Sequence, residues 1–394
     1  MSAFTLDLVN RFLLDKQHLS QNTRSNDITQ VIKDIGGLHA TSATTPYISL
    51  FNRCKEFTRE KLDSKMFNRR TLGRIRYVRK TVYILPRDFL STAFSGTTEL
   101  NLTNTQLYKK YLGISEKDIE DTSRLVVKVL KGKGMTTKEI RNQLKVDPKL
   151  DLSRIINLMC DRGQLIRESN RKSWKSNLHT YYLFSEYYPG MDLNELESSV
   201  AKEQIILSYL SSHGPATIID MAWWSGFTKT IVKNILDKFS GKIEEIQIFE
   251  LEGDFYILKR DIKLLKEQKS SSEKTVNFLP ILDPYMMGYK MRDRYMDEKH
   301  YNYIFDRSGN CTNTILVDGM VVGVWDVEEK PNRVVKLYFF KRPTKNLKGK
   351  IYAYAKELGK FILENEVMIK ECKDMVPLNE RTAGSMIRPL KDCK

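Results

Sequence analysis

The feature that most constrains this chain is an order of elements that occurs twice. In residues 122–184, Leu125, Val126, Val129 and Leu130 recur at helical spacing, and the glycines at 132 and 134 break that helix. Thr136 stands three residues before Glu139, the pairing of a capping box, so a second helix starts there. Residues 152–165 place Ile155, Ile156, Leu158 and Met159 on one face, with Gly163 near the end. The stretches 165–167 and 181–184 then read as a hairpin. Residues 201–258 repeat the order: helices at 205–210, 218–225 and 228–239, then a hairpin of 243–250 and 255–258 across Gly253. Three short helices followed by a hairpin predict a winged helix, whose third helix can enter a DNA major groove.

The flanks complete four expected domains: 1–118, 122–184, 201–258 and 276–394. The first opens with an amphipathic helix over 1–20 and a second near 27–36. A third helix carries Ile48, Leu50 and Phe51, and a buried strand runs through 77–85 before Pro86. Stretches 185–200 and 259–275 read as linkers. The last domain holds β-type runs at 314–317, 321–327 and 334–340, a long helix over about 348–365 and a short basic tail ending at Lys394. The expected fold class is α+β, with tandem winged helices and a C-terminal β-rich domain.

Composition removes several function classes. No run approaches the roughly 18 apolar residues of a membrane span, and Asp7, Arg11, Asp15 and Lys16 interrupt any apolar leader. Five cysteines, at 54, 160, 311, 372 and 393, include no C-x-x-C pair, and the five histidines are dispersed. Neither a zinc site nor a disulfide framework is expected, and the cysteine usage suits a reducing cytoplasm. No metal or other cofactor is expected. Gly132, Lys133 and Gly134 are too short a run for a phosphate loop. Trp223 and Trp224 read as packing residues, and Tyr285 and Tyr289 as buried. Asp283, Asp293 and Asp306, interleaved with Arg292, Arg294 and Arg307, read as structural ion pairs.

Charge is unevenly spread. Lys and Arg number 65 against 49 Asp and Glu, a formal net charge of +16. Residues 53–87 carry 12 basic and 3 acidic side chains, residues 122–184 carry 14 and 5, and residues 201–258 carry 5 and 8. Two regions of one expected shape thus have opposite balances, which places the polyanion partner, double-stranded DNA, on the front half of the chain. The candidate phosphate contacts are Arg69, Arg70, Arg74, Arg76, Arg79 and Lys80, with Arg154, Arg162, Arg167, Arg171 and Lys172 on the reading helix and wing. Binding through such groups weakens steeply with salt.

A series of short motifs then appears in fixed order. Gly37-Leu38-His39-Ala40-Thr41 is followed by Tyr47-Ile48-Ser49-Leu50-Phe51, Arg70-Thr71-Leu72 and 79–86, which reads RKTVYILP. Further on stand Gly214-Pro215-Ala216-Thr217, Trp223-Trp224-Ser225-Gly226, the stretch 279–289, Val317-Asp318-Gly319 and 321–325, VVGVW. Over some 290 residues this order resembles the winged-helix DNA-binding family that includes the AlkZ-like and YcaQ-like DNA glycosylases. The resemblance implies a concave DNA clamp and metal-independent cleavage of the N-glycosidic bond of alkylated or crosslinked purines. It also implies a catalytic Gln-x-Gln or Gln-x-Asp triplet directly after a leucine. After Leu38 this chain carries His39 and Thr41 instead.

The chemistry asked of those two positions is definite. Glycosidic hydrolysis passes through an oxocarbenium-like sugar, so a water must be placed near the anomeric carbon. A neutral imidazole can orient or deprotonate that water, and a threonine hydroxyl can both donate to it and accept from it. The pair would share one side only on an extended segment. Lys80 would serve as an amine nucleophile only with a lowered pKa. The expected protein is a cytoplasmic, nucleoid-associated monomer acting on damaged duplex DNA. The residues alone also allow a non-catalytic winged-helix regulator that reads DNA with 152–165, or a basic scaffold for protein partners.

Overall fold

The computed structural model describes residues 2–112, 115–146, 150–169, 173–269, 273–380 and 390. It is α+β, and the chain divides into two compact units. The first comprises Met1–Gly36, Tyr47–Arg59 and Tyr209–Lys394; the second comprises Gly37–Pro46 and Glu60–Ser208. The expected domain 1–118 therefore contributes to both.

The second unit contains a three-stranded sheet. Strands Leu72–Arg76 and Val82–Pro86 pair antiparallel, and Leu38–His39 joins the free side of Val82–Pro86, with Leu38 opposite Ile84 and His39 opposite Tyr83. Gly37 leads into that short strand at φ +102°. A Cβ there would lie 2.6 Å from the Leu85 side chain, so glycine alone fits. Between the long strands, Arg79 and Lys80 both take left-handed conformations, with φ of 52° and 59°. Consecutive left-handed residues match the twist of a tight hairpin but strain non-glycine residues, by about 1–2 kcal/mol each.

The helix Leu90–Leu112 follows. The sequence reading missed it because Ser, Thr, Asn and Gly96 crowd its first half, and these are mediocre helix formers. Tertiary contact overrides propensity here. The Thr97 and Thr98 hydroxyls donate to the carbonyls of Ala93 and Phe94, and Gly96 lies so close to Ile205 that a Cβ would come within 2.4 Å.

Next come Glu116–Leu130, Thr137–Leu144 and Leu152–Asp161, then the hairpin Leu165–Ser169 with His179–Leu183. Met135 bridges to Tyr181 as a third strand would. This is the element order expected over 122–184. Thr136 and Glu139 form the anticipated capping box, and Ser115 with Asp118 forms another. Ile155, Ile156, Leu158 and Met159 are buried with Val126, Leu130, Ile140 and Leu165 in one apolar core.

In the first unit the N-terminus starts as a strand, not a helix: Ser2–Phe4 pairs in parallel with Ile243–Ile248, and the helix Leu6–Lys16 begins only after the Thr5 cap. Helices Ile218–Ser225 and Lys229–Lys238 precede the hairpin Ile243–Ile248 and Phe255–Leu258. The stretch read as a junction after 259 holds the helix Lys259–Lys266. A five-stranded sheet runs in the order Met368–Glu371, Val334–Phe339, Met320–Glu328, Thr314–Val317, Val276–Leu279. The helix Lys345–Leu363 follows the strand Val334–Phe339.

Asp283 does not pair with the neighbouring arginines as the sequence suggested. Its partner is Arg53, 230 residues earlier, with both side chains fully buried. Arg292 instead sits against the rings of Trp223, Tyr301 and Phe305. Cys372 is disulfide-bonded, to a partner outside the described residues, which corrects the expectation of a chain without cross-links. Among the described residues no helix is long and apolar enough to cross a membrane.

Candidate active site

His39 ends its strand with only 3% of its surface exposed, whereas Thr41 is exposed. The imidazole lies 5.1 Å from the Tyr83 ring, which meets Tyr77 edge-on at 5.5 Å. The Ala40 amide still donates to the Val82 carbonyl, at 2.7 Å, but the ladder stops there. The two candidate catalytic residues meet through the backbone: the Thr41 N–H donates to His39 Nδ1 over a long 3.5 Å. That contact leaves the ring proton on Nε2.

Burial, reinforced by the charge of Arg79, lowers the His39 pKa to about 3. The imidazole is therefore neutral at physiological pH and a poor proton acceptor. Orientation of a reactant through Nε2–H, not deprotonation of water, is the chemistry open to it. Beyond Thr41, the hairpin 165–183 reaches the same segment, because Asn177 Oδ1 accepts the Ala43 N–H at 3.0 Å. Nothing local in the sequence marks Asn177. Its role depends on a contact 134 residues away.

The candidate phosphate contacts separate into groups. Arg69 and Arg154 are exposed, with Arg154 paired to Asp151 at 2.8 Å. Arg79 and Lys80 are half-buried in the strained turn. Arg70 is committed inward: its guanidinium lies 4.1 Å from the Tyr187 ring and donates to the Tyr187 carbonyl. Arg76 pairs with Asp161 and Arg162 with Glu116.

Arg74 and Arg167 are corrections. They are 4% and 8% exposed, because the strands that carry them pack against one another, and neither presents a charge to a phosphate. Arg171 and Lys172 lie outside the described residues. Among the described residues no three His, Cys, Asp or Glu side chains converge as metal ligands.

The sequence matches the family described as DNA glycosylase AlkZ-like over residues 32–361, a span that holds this whole site. The chain belongs to the AlkZ-like family. It is 22% identical over 234 residues to an interstrand DNA cross-link repair glycosylase of Streptomyces sahachiroi, covering 55% of this chain and 60% of the relative. The chain thus spans about 60% of the length of the curated relative it matches. The solved structure of the DNA glycosylase AlkZ from the same organism superimposes with a TM-score of 0.74 at 17% identity. That likeness extends over 94% of this chain and all of the other, and establishes the fold.

Proposed function

We propose that this protein is a metal-independent DNA glycosylase that hydrolyses the N-glycosidic bond of an alkylated or crosslinked base in duplex DNA. The observation that carries this reading is the family match over 32–361, which includes both the His39–Thr41 segment and the basic run after it. The Streptomyces relative, a cross-link repair glycosylase, supports a bulky lesion as substrate. The protein acts as a cytoplasmic monomer, associated with the nucleoid when bound to DNA. The basic domain 122–184 and the N-terminal domain face phosphate, while the acidic domain 201–258 is a spacer.

At the scissile bond the neutral state of His39 is an advantage. An imidazolium would oppose the positive charge growing on the sugar, whereas a neutral Nε2–H can steer a reactant without that repulsion. An alkylated purine is already a good leaving group, so little general-base strength is required of the protein.

A second reading, non-catalytic binding of DNA, is favoured by one observation: His39 is buried while Thr41 is exposed. Mass spectrometry of bases released from globally alkylated duplex DNA separates the two. Glycosylase action predicts released base, reduced at least about tenfold by His39→Ala, equivalent to about 1.4 kcal/mol of transition-state stabilisation. Salt-dependent DNA binding with no base release from alkylated, deaminated or crosslinked substrates would leave the binding module.

A further inference from the structure

The hairpin of Leu165–Ser169 and His179–Leu183 carries a loop whose residues 173–178 are held by local hydrogen bonds. The Lys175 N–H donates to Ser173 Oγ at 3.3 Å, the Ser176 N–H to the Ser173 carbonyl at 3.0 Å, and the Leu178 N–H to Ser176 Oγ at 3.2 Å. Asn177 then fastens this loop to the Ala43 amide, and both partners belong to the second unit.

Leu178 follows Asn177 directly. Its surface is 64% exposed, the most of any large apolar side chain among the described residues of that unit. The others, Leu125, Val127 and Val200, sit on helices; Leu178 alone sits on a loop. Chain geometry through the Asn177–Ala43 bond keeps its Cα within about 16 Å of that of Thr41, less than half of the roughly 34 Å turn of duplex DNA. A duplex seated on the His39–Thr41 segment thus meets Leu178 in the same half-turn.

A loop already ordered by its own polar bonds loses little further entropy when its apolar side chain is buried in a partner. The interior of the base stack is an apolar destination, and leucine is among the side chains that wedge between base steps. Access to a glycosidic bond inside a duplex requires the stack around that base to be loosened first. The exposed Lys175, three residues earlier, offers charge to a neighbouring phosphate.

We propose, on the glycosylase reading given above, that Leu178 is a wedge that enters the base stack beside the lesion and holds the gap open while the His39–Thr41 segment acts. It positions the substrate and takes no part in breaking the bond.

The test is a duplex carrying 2-aminopurine, which brightens when unstacked, next to a single 7-methylguanine. Binding of wild type should raise the fluorescence about twofold or more. Leu178→Ala should abolish the rise, Leu178→Phe should restore it, and Leu125→Ala, whose leucine is exposed on a helix, should leave it intact. Leu178→Ala should also slow release of the methylated base from duplex about tenfold or more, and leave unchanged its release from a single strand, which is already unstacked. No rise with bound wild type, or an equal rise with Leu178→Ala, overturns the wedge whatever the base release. A rise that only Leu178→Ala loses, with no base released by any of the proteins, upholds the wedge and overturns the glycosylase reading.

Discussion

In the first unit, Arg53 and Asp283 are both fully buried, and each of their side-chain nitrogen and oxygen atoms has a hydrogen-bond partner. Arg53 donates to the carbonyls of Gln17 and Ser49 and, two-pronged, to Asp283. Asp283 also accepts from the Ser49 hydroxyl and the Tyr285 amide. In the second unit, the Arg76–Asp161 pair is partly open to solvent on the arginine side, Asp161 Oδ1 is buried without a partner, and Arg167 Nη2 is likewise unanswered. The first arrangement is a closed brace between segments far apart in sequence. The second retains unused polar capacity on strands next to the candidate active site. Buried charge is tolerated in either case, but only a complete set of partners turns it into a rigid joint.

The comparison can be broken most directly at the closed brace. Arg53→Met leaves Asp283 buried with its charge unanswered and should cost about 3–5 kcal/mol in denaturant unfolding. Asp161→Asn should cost less, about 1–2 kcal/mol, because solvent already reaches Arg76. Equal losses would remove the distinction between the units.

Acid offers a second comparison, since each unit holds histidine kept neutral by burial: His213 in the first, His39 and, less deeply, His179 in the second. Burial is the main cause of both shifts: His39 and His213 are each lowered to about 3. Between that value and the ordinary 6.5 the unfolded chain binds protons that the folded chain refuses. Stability is therefore fully present above about pH 6.5 and declines as pH falls, by about 1.4 kcal/mol per pH unit for each group, or about 2 kcal/mol each by pH 5. Unfolding free energies measured from pH 8 to 5 should show this slope, and His39→Gln and His213→Gln should each remove about a third of it, the rest belonging to His179, whose pKa burial lowers to about 4. A slope untouched by either variant would mean that the ring in that unit is not held neutral by burial.

The smallest effect is expected at Asn177, which ties the hairpin loop to the Ala43 amide. Asn177→Ala should cost about 1 kcal/mol or less. It should lower base release about two- to fivefold by loosening the segment that carries Thr41, with DNA affinity nearly unchanged. Full activity in this variant would show that the hairpin does not position the site.

Much of the second unit was legible in the sequence because its signals are local. The capping box at Thr136 and Glu139 and the inward face of Ile155, Ile156, Leu158 and Met159 both follow from spacing within one or two turns. The strands of the last domain were equally readable, since β-branched runs such as Thr314–Val317 announce themselves. The site was legible in part. The motif order located His39 and Thr41, but no spacing rule states that one is buried and the other exposed. The basic run was visible as a sum of charges, yet Arg74 and Arg167 are buried where their two strands pack together, a property of the assembled fold.

By itself the sequence determined the helical modules, the α+β class, the family and the uneven spread of charge, because each rests on residues near one another in the chain or on their order along it. Tertiary structure alone decided the partner of Arg53, the strand at Ser2–Phe4 and the burial that keeps His39 neutral. Those depend on desolvation and on contacts between residues up to 240 or so positions apart, where chain connectivity carries almost no information about distance.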